Sequence, residues 1–151
     1  MTEKALPAER SYKEVQFLIV DDDQVSIMSI ERAIKKLRLV NPLRTASNGQ
    51  EALDILRGEH GQKQIEAPYV VILDLDMPEM NGIEFLEEIR KDPDLRSAVI
   101  FVLTASDAPE DVTLAYEKNI AGYVVKENAY DTFRQTLSMI DTFSSVVVLP
   151  T

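Results

Sequence analysis

The chain is predicted to be an α/β protein built on a five-stranded parallel sheet. Apolar, strand-like runs recur as Val15–Val20, Leu43–Ala46, Tyr69–Leu73, Ala98–Leu103 and Gly122–Val125, and each intervening stretch is long enough for a helix. Strands that alternate with helices pair in parallel, with helices on both faces and right-handed crossovers. A length of 151 residues suits one domain, large enough to bury about two thirds of its unfolded surface.

Residues 1–14, MTEKALPAERSYKE, carry mixed charge and lack the apolar centre of a signal peptide, so they read as a flexible lead. The first run, FLIV, ends at Asp21-Asp22-Asp23, where Asp21 or Asp23 could also cap the next helix. In that helix Val25, Met28, Ala33, Ile34 and Leu37 keep helical spacing, and Arg32, Lys35, Lys36 and Arg38 form a basic helical stretch that reads as a solvated face. Ala52, Leu53, Ile55 and Leu56 form a second apolar stripe. Asn48-x-x-Glu51, Asn81-x-x-Glu84 and Asp107-x-x-Glu110 each offer a capping side chain with an acid three residues on, which marks three helix starts. The third run, Val70-Val71-Ile72-Leu73, is apolar and mostly β-branched without alternation, as in a strand buried on both faces, and it ends on Asp74 and Asp76. The last helix is expected to end near Thr142-Phe143, leaving an apolar tail over 144–151.

The net charge of −10 argues against direct nucleic-acid binding, where a basic stripe supplies most of the affinity. No apolar run approaches the roughly 18 residues of a membrane span. The absence of cysteine excludes disulfides, thiolate metal sites and a cysteine nucleophile, and fits a cytoplasmic chain. Acid is concentrated: residues 74–94 hold eight Asp or Glu against two Lys or Arg.

If the runs are parallel strands, their carboxyl ends share one edge, where open α/β sheets bind ligands. That edge would collect Asp21-Asp22-Asp23, Asp74, Thr104 and Lys126. Carboxylates so close raise one another's pKa unless a cation sits among them. Oxygen ligands without His or Cys favour magnesium or calcium, and magnesium, which uses few protein carboxylates and keeps several waters, suits a site that must leave one carboxylate free to attack phosphorus.

These residues resemble those of the receiver domains of two-component response regulators. The resemblance rests on Asp21-Asp22 after strand one, Asp74 within DLDMPEMNG, Thr104-Ala105 after strand four, Tyr123, and Lys126 after strand five, and it covers roughly residues 15–142. It implies a flavodoxin-like (βα)5 fold with strand order 2-1-3-4-5. It also implies that Asp74 takes a phosphoryl group from a phosphohistidine of a sensor histidine kinase or a histidine phosphotransfer protein. Asp22 and Asp74 would hold Mg2+, with the backbone carbonyl of Asp76 as a further ligand and Asp21 positioning a metal-bound water. Lys126 would offset charge on the transferring oxygens, Thr104 would donate its hydroxyl to the phosphoryl group, Ala105 would leave that group room, and Tyr123 would be the aromatic switch. The side chain of Asp76 is expected to point to solvent.

Two other readings share the same peptide. VVILDLDM is similar to the first motif of haloacid-dehalogenase-type phosphatases, but that motif usually lies on the first strand, with an acidic pair downstream and Thr or Val where Pro78 stands here. A pseudo-receiver, a binding module that works without phosphorylation, would be favoured by loss of Asp74, Asp22 or Lys126, and all three are present. The chain departs from the receiver pattern at Glu127, which stands where proline usually follows the lysine through a cis bond. A cis bond before a non-proline residue costs roughly 2.5–4 kcal/mol, so Lys126–Glu127 is expected to be trans. The segment 58–68, GEHGQKQIEAP, is longer than the usual turn, and with the tail it resembles the stand-alone receivers associated with bacterial phytochromes. A chain without an output domain is therefore expected, comprising a lead over 1–14, a receiver over 15–143 and a tail over 144–151. Because Val146-Val147-Val148-Leu149 has no strand left to pair with, it should be covered by its own domain or by a second copy. The resemblance to stand-alone receivers implies a homodimer through the strand-four to helix-five face, with Phe143 and the tail valines in contact.

Overall fold

A computed structural model describes residues 14–127 and 129–150, with the side chains of residues 129 and 130 outside the description. The predicted lead therefore lies, apart from Glu14, outside the described residues. Five strands, β1 (Gln16–Val20), β2 (Leu43–Ala46), β3 (Tyr69–Leu73), β4 (Val99–Thr104) and β5 (Gly122–Val125), form one sheet in the order β2-β1-β3-β4-β5. Every pairing is parallel. The helices are α1 (Gln24–Lys36), α2 (Gly49–Arg57), α3 (Gly82–Lys91), α4 (Pro109–Glu117) and α5 (Ala129–Val146).

Successive side chains of a strand point to opposite faces, and the central strands are apolar at nearly every position because both faces are covered. Leu18, Val20, Val71, Leu73, Ile100 and Val102 point to one side, where they pack with Leu53, Leu56, Phe85, Leu86 and Ile89 of α2 and α3. Phe17, Ile19, Val70, Ile72, Phe101 and Leu103 point to the other, against Ile27, Ile30 and Ile34 of α1 and Phe133, Leu137 and Ile140 of α5. The sheet is thus the shared wall of two cores.

The stripe predicted for α1 is shifted. Val25 and Met28 are 70% and 57% exposed, and the buried residues are Ser26, Ile27, Ile30, Ala33 and Ile34. Helical spacing permits either face, and packing against α5 and the sheet selects the one carrying the three isoleucines. The basic stretch is helical only to Lys36. Arg38 takes a left-handed conformation at φ 57°, and the Arg38 and Leu39 amides donate to the Lys35 and Ile34 carbonyls, closing the helix in a Schellman turn.

Two of the three predicted starts hold as caps. Asn48 accepts from the Glu51 amide at 2.8 Å, and Asn81 and Glu84 form a reciprocal capping box. The third does not, since α4 starts from Ala108 with no side-chain cap. Pro109 takes the first helical position, where it has no N–H to satisfy and its φ is already helical. Segment 58–68 folds back on α2. Its turn opens on left-handed Gly58, the Ile65 amide donates to the Ile55 carbonyl, and Ile65 is buried. An exposed pair, His60 Nδ1 and Asp54 Oδ1 at 2.9 Å, ties the same loop to α2 and raises the imidazole pKa. Arg90 at the end of α3 donates to the carbonyls of Arg96, Ala98, Lys118 and Asn119, so one guanidinium fastens the turns entering β4 and β5.

Helix α5 runs beyond the predicted end to Val146. Phe143 lies edge-on to Phe101 of β4, with ring centroids 5.3 Å apart. Beyond the helix Leu149 is buried in the α1–α5 core, whereas Val146 and Val148 stay exposed. Among the described residues the one cis peptide precedes Pro68, so Lys126–Glu127 is trans. No described helix is long and apolar enough to cross a membrane.

Candidate phosphoacceptor site

The parallel ladder continues one residue past the strands and sets the site. The Asp21 amide donates to the Ala46 carbonyl at 3.0 Å, the Asp74 amide to the Val20 carbonyl at 2.9 Å, and the Lys126 amide to the Thr104 carbonyl at 2.8 Å. These bonds place Asp21, Asp74, Thr104 and Lys126 at one carboxyl edge of the sheet, although β1, β3, β4 and β5 are separated in sequence by whole helices.

Asp74 is the deepest of the acceptor candidates on the β3 loop, at 6% exposure, while Asp76 is exposed and its amide reaches back toward Asp74 Oδ1 at 3.4 Å. Burial pushes the Asp74 carboxyl up to about 6, with Asp21 adding to the rise and Thr104, Lys126 and the Asp76 amide pulling against it. The Thr104 hydroxyl is close enough to favour the ionised carboxylate, yet it makes no hydrogen bond of full geometry and is completely buried. A buried hydroxyl without a partner is costly, and this one lies beside the Asp74 carboxyl.

Asp21, Asp22 and Asp74 each bring a carboxylate oxygen to within 4.8 Å of the other two. Both oxygens of Asp21 are already engaged, one by the Asp23 amide at 2.9 Å and the other by Lys126 Nζ at 2.8 Å. Asp22 is exposed on the same side and free to turn toward a cation. An all-oxygen set of this kind, open to solvent on one side, fits Mg2+, which keeps waters and needs few protein ligands. Asp23 is the cap of α1, accepting from the Val25 amide at 3.0 Å.

Tyr123 is half-buried against the α2–α3 core and donates its hydroxyl to the Ser106 carbonyl at 2.9 Å. It thereby ties β5 to the loop that begins at Thr104. Burial raises its phenol pKa.

Three residues near the site carry no clear signal in the sequence. Ser26 is buried in the first turn of α1, where a lone serine among apolar positions reads as a helix residue. Ser106 acts through its carbonyl, which any residue provides. Gly82 reads as a turn glycine, but a Cβ there would meet Leu75 Cα at 2.6 Å and the Asp74 carbonyl oxygen at 2.7 Å. The only available hint was the Asn-Gly pair closing DLDMPEMNG.

The model of the response regulator receiver domain matches residues 17–138. A probable methanogenesis regulatory protein, FilR2 of Methanothrix harundinacea, is 30% identical over 83% of this chain and 81% of its own. Among solved structures, that of the phosphorylated cyanobacterial phytochrome response regulator RcpA superposes with a TM-score of 0.83 at 27% identity, covering 92% of this chain and all of the other. The Mn2+-bound form of Rcp1, a response regulator of Synechocystis, superposes with a TM-score of 0.78 at 26% identity, covering 92% of this chain and all of the other. The ordered strand-end residues, the sheet order and these likenesses lead to one assignment: the chain belongs to the response regulator receiver domains of two-component signalling.

Proposed function

We propose that the unit spanning residues 15–143 accepts a phosphoryl group on Asp74 from a phosphohistidine of a sensor histidine kinase or a histidine phosphotransfer protein, and that the modified domain changes partners. The observation that carries this reading is the pairing of a buried carboxyl, Asp74, with a buried hydroxyl that lacks a partner, Thr104, beside the ammonium of Lys126. A carboxylate oxygen of Asp74 attacks phosphorus, the phosphorus–nitrogen bond breaks, and the imidazole leaves. Asp22 and Asp74, with the carbonyl of Asp76, would hold Mg2+, which when bound offsets negative charge on the attacking carboxylate and the phosphoryl oxygens. Asp21, whose oxygens accept from the Asp23 amide and Lys126 Nζ, would orient a water of the bound ion. Two relatives support the chemistry by what they are, one a phosphorylated response regulator and the other a Mn2+-bound one.

The Thr104 hydroxyl turns to the new phosphoryl oxygens. The β4–α4 loop follows, loosening the hold of the Ser106 carbonyl on Tyr123, so that the ring repacks toward the space Thr104 vacates. The tail is proposed to work in a homodimer, in which exposed Val146 and Val148 pack on a second copy. Phe143, seated on Phe101, contributes by shaping its own domain's face. Replacing both valines with Asp should turn a dimer into a monomer by light scattering, and a full-length monomer at high concentration would end the dimer reading. The net charge of −10 supports a chain that does not bind nucleic acid directly, and a cytoplasmic location is part of the same proposal.

Incubation with acetyl phosphate and Mg2+ should add one phosphoryl group by intact mass. The label should be lost in Asp74→Asn and kept in Asp76→Asn; a label that persists in Asp74→Asn places the acceptor elsewhere, and no label on any variant favours the phosphorylation-independent binding module. Calorimetric Mg2+ titration should show at least about tenfold weaker binding in Asp22→Ala, with Asp23→Ala close to wild type. Equal losses would shift the ligand register by one.

A further inference from the structure

Around Lys126 the hydrogen bonds form a closed ring that excludes the acceptor. The ammonium donates to Asp21 Oδ2 at 2.8 Å and to Ser26 Oγ at 3.3 Å. The Ser26 hydroxyl in turn donates to Asp23 Oδ2 at 3.2 Å, and the Asp23 amide donates to Asp21 Oδ1 at 2.9 Å. Because the single hydroxyl proton of Ser26 is committed to Asp23, its lone pairs are turned to the ammonium. Phe133 lies beneath, with the ammonium 6.0 Å from its ring centroid, a distance at the outer limit of cation–π attraction. Among the described residues, Asp21 and Ser26 are the only hydrogen-bond acceptors of Lys126 Nζ, and Asp74 is not one of them.

We infer that Ser26 is a positioning residue that holds Lys126 in a parked state, on the α1 side of the site, and thereby sets how readily the lysine reaches a phosphoryl group on Asp74. The inference rests on the reading of Asp74 as the acceptor. An ammonium that must leave a neutral hydroxyl as well as a carboxylate pays for both bonds, and bonds to charged groups are the stronger class. Ser26 is 8% exposed, so water cannot readily replace its oxygen. The burial of a serine in the apolar face of α1 has its physical explanation here, since its hydroxyl is satisfied only through this ring.

The test compares the wild-type chain with Ser26→Ala and Ser26→Thr. Labelling of Asp74 by acetyl phosphate with Mg2+ should run about fivefold faster in Ser26→Ala, as expected for loss of one long bond to a charged group, and return to the wild-type rate in Ser26→Thr, which keeps the hydroxyl. In the metal-free state, the ζ-ammonium proton signal of Lys126 should be visible by NMR in wild type and Ser26→Thr and broadened by exchange in Ser26→Ala. A serine that merely packs would move urea stability without changing the rate or the ammonium signal. An Ala variant that labels at the wild-type rate or slower, or that keeps the ammonium signal, overturns the inference. Failure of every variant to label overturns the acceptor reading instead, and the ammonium signal then still decides whether Ser26 parks the lysine.

Discussion

Gly82→Ala is expected to destabilise the chain by about 1–3 kcal/mol and to weaken Mg2+ binding. Alanine at the first position of α3 would improve helix propensity by up to about 1 kcal/mol, so local propensity alone predicts the opposite sign. The close approach decides the matter. The new Cβ would stand 2.6 Å from Leu75 Cα and 2.7 Å from the Asp74 carbonyl oxygen, both backbone atoms that cannot rotate away. The Gly82 amide also donates to the Leu75 carbonyl at 3.0 Å, so the loop leaving β3 and the start of α3 must separate together. That movement displaces the peptide on which Asp74 sits. Gly49→Ala is the control, because the nearest atoms to its Cβ belong to a side chain, Met80 Cγ and Sδ at 2.8 Å and Cβ at 3.1 Å, which can shift where backbone cannot. Urea denaturation of both variants, read by far-UV circular dichroism, provides the measurement. Equal stability of the two would show that the β3–α3 contact yields without cost.

Asp74→Asn should stabilise the metal-free protein by about 2 kcal/mol at pH 7, even as it abolishes labelling. In the folded chain burial lifts the carboxyl from 3.8 to about 6, so the folded state holds the proton more tightly than the unfolded one. The stability contributed by the protonated carboxyl is complete below the unfolded value near 3.8 and is lost as pH rises through about 6. Above that, the wild type carries a desolvated charge that asparagine lacks. The full shift would correspond to about 3 kcal/mol, reduced here for partial solvent access. Urea midpoints in chelator should therefore diverge between pH 4 and pH 7 and coincide at the acid end. Added Mg2+ should narrow the gap by stabilising only the wild type. A wild type as stable as the variant at pH 7 without metal would mean that Asp74 ionises without penalty.

Much of the site was legible because it depends on chemistry placed at strand ends. Apolar runs define where the strands stop, parallel alternation brings their carboxyl ends together, and the residues just beyond, Asp21, Asp74, Thr104 and Lys126, must then be neighbours. Asn48 and Asn81 were legible for a similar reason, since a cap and its acid lie within one turn of each other. Asp107 misled because a downstream proline fixes a helix start more firmly than an optional side-chain bond. Phe143 was read as a contact to a second copy and packs on Phe101, and of the two covers expected for the tail its own domain takes Leu149 in the α1–α5 core, contacts that no local pattern encodes.

The sequence by itself determined the five βα units, the strand limits to within a residue, and the set of acidic, hydroxyl and ammonium groups at one edge, since periodicity and residue chemistry are local properties of the chain. Only the tertiary structure decided which face of α1 turns inward, that Gly82 must lack a side chain, and that Lys126 closes a ring with Asp21 and Ser26 across 105 and 100 residues of sequence. Those outcomes depend on how separate elements pack, where a displacement of an ångström makes or breaks a hydrogen bond and a spacing pattern holds no information about the neighbour.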